Sequence, residues 1–221
     1  MQRIGLFGGS FNPIHFGHLI PALSAAEQLS LDRLIFVPSA APPHKVGAGQ
    51  LAPAEHRLEM ARRAVESVPP LDVSDLELKR TGPSYTIDTI AEFRRQFGLD
   101  VMLYWLIGAD SLADLALWHR AGELVDACRI VTMARPGWPI QAALDRLRED
   151  SKLSDEQVDR LAAGLLTTPA IEISATQIRH RIAAGKTVRF LLPGVVLHYI
   201  DQHELYRRSE PVAPGGRGNA E

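Results

Sequence analysis

Residues 3–18 read RIGLFGGSFNPIHFGH, an apolar run followed by two glycines and a turn that contains proline. Residues 3–7 predict a buried strand, since short apolar runs that end at turn signals are typical of one. A helix is predicted from Gly17 to about Ser30, because its apolar residues recur at helical spacing. The stretch therefore predicts a strand that passes through a glycine-rich turn into a helix, which is how a β-α-β unit begins.

The same alternation of strand and helix continues along the chain. Further strands are predicted at residues 33–37, 101–107, 128–134 and 170–173, and further helices at residues 54–68, 86–97 and 174–184. Strands separated by helices require parallel crossover connections. The sequence thus predicts a doubly wound, Rossmann-like α/β fold with a mainly parallel sheet, helices on both faces and a small C-terminal helical part.

The remaining segments complete a single predicted domain, residues 1–208. Residues 38–53 are rich in Pro, Ala and Gly, which predicts a mobile loop over a site. Residues 139–164 predict two short polar-faced helices outside the strand order, a helical appendage. Residues 209–221 predict a disordered tail. A length of 221 residues suits one large domain.

The composition is that of an ordinary globular protein. Charged residues make up 23% and hydrophobic residues 46% of the chain, which argues against wholesale disorder. Lys plus Arg total 24 against 26 for Asp plus Glu, a formal net charge of −2. An RNA-binding module or another nucleic-acid partner is therefore not expected, although a local basic pocket is compatible with this balance.

The single cysteine and the N-terminal segment predict a cytoplasmic, soluble protein. Cys128 cannot form an intramolecular disulfide or a cysteine-based zinc site, and its apolar neighbours predict a buried thiol in a reducing compartment. The first residues lead directly into a predicted strand without the pattern of a signal peptide. Residues 4–26 carry no charge, but their prolines, glycines and histidines argue against a membrane span.

The chemistry is expected at the carboxyl end of the first strand, where open parallel sheets bind ligands. Gly8 and Gly9 permit close backbone approach, and the following helix N-terminus offers N–H groups to an anion. His15 and His18 are three residues apart, so both rings can face one pocket. The stretch matches neither a Walker A loop nor a G-x-G-x-x-G fingerprint. Two simpler interpretations stay open: histidines that cap a helix, and a zinc site that lacks nearby Cys or acidic ligands.

A second motif, ISATQIR at residues 173–179, begins the helix predicted near the C-terminus. Ser174 is a natural N-cap, and its hydroxyl and that of Thr176 lie beside free N–H groups. Arg179 can reach back towards a phosphate, which a planar guanidinium binds through two N–H groups. Taken alone, the motif is better explained as an ordinary capped helix with a solvated arginine.

Together, the two motifs resemble the nucleotidylyltransferase superfamily and, within it, the bacterial nicotinate-mononucleotide adenylyltransferases. Four further segments match that family in its order, and the matches run from residue 4 to about residue 205. They are Pro42-Pro43-His44-Lys45, Ser84-Tyr85-Thr86-Ile87-Asp88-Thr89, Gly108-Ala109-Asp110 with Trp118, and Ala134-Arg135-Pro136-Gly137. Pantetheine-phosphate adenylyltransferases share only the two outer motifs. The resemblance implies transfer of AMP from ATP to nicotinate mononucleotide, by direct attack of the mononucleotide phosphate on the ATP α-phosphorus, to give deamido-NAD and pyrophosphate.

The resemblance also implies a role for each matching residue on the ATP side. The implied catalytic residues are His15, His18, Lys45 and Arg179, with His18 stabilising charge on the transferred α-phosphoryl group. The implied ATP-binding residues are Gly8, Gly9, Ser10, Phe11, His15, His18, Gly108, Asp110, Ile173, Ser174, Thr176 and Arg179. Mg²⁺ is expected to arrive with the ATP phosphates, without a metal site made by the protein.

On the pyridine side, Trp118 resembles an aromatic residue that stacks on the ring, and Thr86 is expected to bind the carboxylate. The implied nicotinate-nucleotide-binding residues are Asn12, Lys45, Ser84, Tyr85, Thr86, Trp118, His119 and Arg135. A core tryptophan and a helix N-cap are the other interpretations of Trp118 and Thr86, and an N-cap is also the other interpretation of Asp110. Asn12 and His119 depart from the Asp and Tyr that are frequent at their positions in the family.

Other functions stay open at this point. The acceptor could be the amide, nicotinamide mononucleotide, or another small phosphate such as phosphopantetheine, and the sequence does not place the donors and acceptors that discriminate between them. A non-catalytic nucleotide-binding regulator is the third alternative, which the presence of His15, His18 and Arg179 disfavours. A homo-oligomer also stays open.

Overall fold

The computed structural model describes residues 1–40, 51–134, 138–150 and 152–207, and the statements below concern those residues. Its strands are β1 (Gln2–Gly9), β2 (Arg33–Pro38), β3 (Leu71–Val73), β4 (Val101–Gly108), β5 (Arg129–Ala134) and β6 (Leu165–Thr167). They form one sheet in the order β3-β2-β1-β4-β5-β6, and all neighbouring strands are parallel. The predicted doubly wound α/β fold is confirmed.

Helices cover both faces of this sheet. They are α1 (Phe16–Gln28), α2 (Ala54–Val65), α3 (Thr86–Phe97), α4 (Ala109–Ala113), α5 (Ala121–Ala127), α6 (Ile140–Glu149), α7 (Asp155–Ala163), α8 (Ala175–Ala183) and α9 (Gly194–Gln202), with a 3₁₀ helix at Leu115–Leu117. Across the described ranges, no helix has the length and apolar composition needed to cross a bilayer.

The central strand β4 contributes to two separate cores. Leu103, Trp105 and Ile107 pack on the side of α3, α5, α6 and α7, whereas Tyr104 and Leu106 pack on the side of α1, α2, α8 and α9. Because side chains alternate across a strand and both faces are covered, the strand reads as a continuous apolar run. This burial of both faces explains why residues 101–107 gave the clearest strand prediction.

Two short edge strands depart from the prediction. The strand predicted at residues 170–173 is wrong, since the last strand is β6, and β3 was not predicted. A Cβ atom on Gly164 would collide with the carbonyl oxygen of Ile130, so this glycine lets the chain lie directly beside β5. The carbonyl of Gly164 accepts a hydrogen bond from Thr132 N at 3.0 Å, which starts the pairing of β6 at Leu165.

The helices predicted at residues 139–164 are present as α6 and α7, and they form the connection between β5 and β6. The sequence analysis placed them outside the strand order because it missed β6. Their apolar faces contribute Leu144, Leu147, Val158 and Leu161 to the core. The domain limits 1–208 stay a prediction, and the predicted tail at 209–221 lies outside the described residues.

Cys128 gives a direct test of this packing. It is buried between α5 and β5, and burial raises the pKa of its thiol from 9.0 to about 12. Because the thiolate is the reactive form, we expect native protein at pH 8 to react with iodoacetamide roughly a hundredfold or more slowly than protein in denaturing urea. Mass spectrometry over time measures both rates on the single cysteine, and equal rates would contradict the buried position.

Candidate active site

The site lies at the carboxyl ends of β1 and β4, the two neighbouring strands from which the chain continues to opposite sides of the sheet. β1 sits between β2 and β4, so the connections that leave β1 and β4 diverge and open a crevice at their carboxyl ends. The turn between β1 and α1 follows one strand, and Gly108 with Asp110 follows the other. Two of the motifs identified in the sequence therefore meet at one edge of the sheet.

Two glycines of the first motif are required by close packing. A Cβ atom on Gly8 would collide with the ring of Trp105. A Cβ atom on Gly17 would lie 2.8 Å from the carbonyl oxygen of Ile173 and 2.9 Å from the ring of His15. The first turn of α1 thus contacts the second motif directly, and only glycine fits between them.

The two histidines lie side by side at the start of α1. Their rings stack with centroids 3.8 Å apart and planes 25° apart. The ring of Phe11 meets His18 edge-on at 5.1 Å and holds it from another side. His15 stands at the N-cap position, but its side chain makes no capping hydrogen bond, so helix capping does not account for the pair.

The second motif holds the first through Arg179. Its Nη1 donates to the carbonyl oxygen of Asn12 at 2.9 Å, and its Nη2 donates to Thr176 Oγ1 at 3.2 Å. Ser174 caps α8 as predicted, because its hydroxyl accepts from Gln177 N at 3.1 Å. This motif therefore contains an ordinary helix cap at Ser174, and its Arg179 also contacts the β1–α1 turn.

The side chain of Asn12 joins three parts of the chain. Its Oδ1 accepts from Ala52 N at 3.1 Å and from the hydroxyl of Tyr206 at 2.8 Å. Burial raises the pKa of Tyr206 well above its ordinary value, so the hydroxyl stays protonated and acts as the donor. Both bonds need only an acceptor at Oδ1, which an amide oxygen provides as well as a carboxylate does.

Arg57 is a site residue that the sequence analysis missed. It is completely buried on α2, and its guanidinium donates to the carbonyl oxygens of Ser10 at 2.7 Å, Ala52 at 3.0 Å and Ala40 at 3.2 Å. Burial lowers the pKa of this guanidinium, although an arginine side chain stays charged in proteins. The available signal was an arginine in the same helical stripe as the apolar positions 61 and 65.

The residues predicted for the pyridine side gather around the start of α3. The ring of Tyr85 stacks on His119 with centroids 4.2 Å apart. Tyr85 occupies the N-cap position and Thr86 is the first helical residue, so the N-cap interpretation of Thr86 is wrong. Trp118 packs against the core but is only half-buried, so it partly matches the interpretation as a core tryptophan.

Asp110 lies at the carboxyl end of β4. Gly108 is the N-cap residue of α4, and no side chain caps that helix, so the N-cap interpretation of Asp110 is wrong. A Cβ atom on Gly108 would collide with the Asp110 carboxylate, which therefore folds back over the end of the strand. This places an exposed carboxylate on the crevice beside the β1–α1 turn.

Lys45 and Arg135 lie outside the described residues. Among the side chains that the structure does describe, no group of three or more His, Cys, Asp or Glu could hold a metal ion.

The chain is similar to known proteins over most of its length. The family model for the cytidylyltransferase-like proteins matches residues 6–181. A protein of Thermus thermophilus named "Probable nicotinate-nucleotide adenylyltransferase" is 45% identical over 206 residues, which cover 93% of this chain and 100% of that protein. A protein of the same name from Pseudomonas aeruginosa is 44% identical over 213 residues, which cover 93% and 98%.

Solved structures show the same architecture. The nicotinic acid mononucleotide adenylyltransferase of Plasmodium falciparum complexed with NaAD superposes with a TM-score of 0.72 at 17% identity, covering 93% of this chain and 98% of that one. Its complex with APC gives a TM-score of 0.71 at the same identity and coverage. At this identity, the likeness concerns the fold alone.

The role of Arg57 leads to a stability prediction. In Arg57→Lys, a single ammonium group cannot reach all three carbonyls, and each lost charge-assisted bond costs about 1.5 to 3 kcal/mol. We expect the free energy of unfolding to fall by about 2 to 4 kcal/mol in urea titrations. Arg62→Lys on the same helix is the control, because Arg62 is half-exposed and pairs with Asp75 at the surface. Similar losses in both variants would contradict the special position of Arg57.

Proposed function

Since the chain belongs to the cytidylyltransferase-like family and, within it, to the nicotinate-nucleotide adenylyltransferases, we propose that it transfers AMP from ATP to nicotinate mononucleotide in NAD biosynthesis. The products are deamido-NAD and pyrophosphate. The observation that carries the proposal is the meeting of the two outer motifs at Gly17, beside the paired rings of His15 and His18.

The reaction requires no covalent bond between the protein and its substrates. A phosphate oxygen of nicotinate mononucleotide forms a bond to the α-phosphorus of ATP, while the bond from that phosphorus to the bridging oxygen breaks and pyrophosphate leaves. The nucleophile is already an anion, so no activated Ser or Cys is needed. The protein must align two anionic substrates and neutralise the charge that spreads over the transferred group.

The β1–α1 turn supplies the first part of this neutralisation. Gly8, Gly9, Ser10 and Phe11 bring the backbone to the triphosphate, and the N-terminus of α1 favours an anion through its dipole. His18 stabilises charge on the α-phosphoryl group, and its contacts with the rings of His15 and Phe11 fix it before substrate arrives.

The second motif supplies the opposite side of the phosphate site. Ile173, Ser174, Thr176 and Arg179 bind the β- and γ-phosphates. Two bonds orient the Arg179 guanidinium beside the β1–α1 turn, where its positive charge favours a phosphate. Lys45 adds a second cation. Mg²⁺ enters as Mg·ATP, held by phosphate and water, and Asp110 binds a ribose hydroxyl.

The pyridine nucleotide binds at the start of α3. The Thr86 hydroxyl and the N–H groups of the first helical turn receive the nicotinate carboxylate, since these groups have no partner within the helix and favour an anion. Trp118 stacks on the pyridine ring, with Ser84, Tyr85 and His119 beside it. Asn12 and Arg135 complete the contacts to the nucleotide phosphate.

Pyrophosphate release with Mg·ATP and either the acid or the amide mononucleotide tests the substrate assignment. We expect kcat/KM to favour the acid by about a hundredfold or more, because only the acid places a negative charge at the start of α3. A preference for the amide would keep the phosphate chemistry and overturn the role of Thr86. Turnover with neither would point to another acceptor, such as phosphopantetheine, or to a regulator.

Replacing His18 tests the phosphate site. We expect His18→Ala to lower kcat by about a hundredfold or more while the unfolding midpoint stays close to that of the parent, because the lost interaction strengthens in the transition state. His198→Ala, which removes an exposed histidine on α9, is the matched control and is expected to keep full activity. Near-normal turnover of His18→Ala would remove His18 from the mechanism.

A further inference from the structure

A buried carboxylate lies next to the pyridine side of the site, and the reaction described above does not use it. Glu77 belongs to the segment between β3 and α3 and is only 4% exposed. Its Oε1 accepts a hydrogen bond from Thr89 Oγ1 at 2.7 Å, and the Ser84 side chain is close enough to favour the charged form of this carboxylate. Among the described residues, no Lys, Arg or His forms a salt bridge with Glu77. A carboxylate held mainly by hydroxyls is costly to bury, and the pKa of Glu77 is raised by that burial.

The distances around the Thr89 hydroxyl identify its hydrogen-bond donor and acceptor. Arg80 Nη1 and Nη2 each lie 3.4 Å from Thr89 Oγ1, and Thr89 Oγ1 lies 2.7 Å from the Glu77 carboxylate. The alternative acceptor for the threonine proton, the carbonyl oxygen of Tyr85, is more distant at 3.3 Å. The Thr89 hydroxyl therefore donates to the Glu77 carboxylate and accepts from the Arg80 guanidinium. Each polar group is oriented by the next, which makes the arrangement rigid.

The two hydroxyls nearest Glu77 lie on either side of Thr86 in the chain. Ser84 precedes the N-cap residue Tyr85, and Thr89 lies one turn into α3, where its N–H donates to the Tyr85 carbonyl at 3.2 Å. Thr86 stands between them. The bond from Thr89 to this buried carboxylate thus ties the first turn of α3 to the segment that precedes it.

We propose that Glu77 is a positioning residue for the pyridine nucleotide: it holds Thr89 so that the first turn of α3 presents Thr86 to the substrate carboxylate. The inference rests on the proposed function and extends it to a side chain that does not touch substrate. ATP is bound by the β1–α1 turn and by α8, which Glu77 does not contact. The effect of Glu77 is therefore confined to the mononucleotide.

Steady-state kinetics with each substrate varied in turn tests this role. We expect Glu77→Ala to raise KM for nicotinate mononucleotide about tenfold, which corresponds to the loss of about one hydrogen bond, with kcat and KM for ATP changed less than about twofold. Glu77→Gln should recover most of the loss, since the oxygen of an amide of the same shape can accept from the Thr89 hydroxyl. Glu92→Gln, at a partly exposed carboxylate of α3 paired with Arg95, is the control. An equal rise of both KM values, or lower stability with unchanged KM values, would overturn the proposal.

A second variant reaches the same bond from the other partner. Thr89→Val keeps the shape of the side chain and removes the hydroxyl, so it measures the contact even where Glu77→Ala does not fold. If the two residues act as a unit, the double variant Glu77→Gln with Thr89→Val should raise KM for the mononucleotide no further than Thr89→Val alone. Fully additive effects would show that Glu77 does not act through Thr89.

The outcome for Glu77 can be separated from the outcome for the proposed function. If the parent protein prefers the amide mononucleotide, the carboxylate assignment at Thr86 fails, and the same comparison of KM values with the amide still shows whether Glu77 positions α3. If neither mononucleotide turns over, calorimetric titration of each against the parent and Glu77→Ala measures the affinities directly. Equal affinities in the two proteins would reject the positioning role.

Discussion

The site depends on one close contact, between the first turn of α1 and the carbonyl of Ile173 at Gly17. Any side chain at position 17 would push the two motifs apart and displace the His15 ring. With glycine there, α8 lies close enough for Arg179 to reach the carbonyl of Asn12. Motifs separated by more than 150 residues thereby become one surface, and the strand order places that surface at the crevice between β1 and β4.

Two arginines, one buried and one half-buried, stabilise this surface through bonds to backbone carbonyls. Arg57 holds Ser10 together with Ala40 and Ala52, and Arg179 holds Asn12. Carbonyl partners fix the guanidinium without cancelling its charge, so each arginine adds positive potential near the turn. A formal net charge of −2 for the whole chain therefore says nothing against strong local attraction for phosphate.

The sequence predicted the elements whose signal is local. The bounds of α3 are matched residue for residue, and β4 is recognisable because both of its faces are buried. The three-residue strands β3 and β6 have too few residues to show a period, and their existence depends on a neighbouring strand. The pairing of His15 with His18 follows from their spacing. The three carbonyls around Arg57 and the bond from Tyr206 to Asn12 follow from tertiary contacts, which no local pattern encodes.

The two halves of the site are built on different principles. In the proposed function, the phosphate half uses cations and a helix dipole, which suit any triphosphate, and its residues come from distant parts of the chain. The pyridine half is local: α3, the segment before it that carries Glu77, and the turn at Trp118 and His119. Because these networks are built from separate segments, the choice of acceptor can change at α3 while the phosphate chemistry stays intact. A fold that hosts many nucleotidyl transfers is expected to place specificity in such a local part, where a few hydrogen bonds distinguish a carboxylate from an amide.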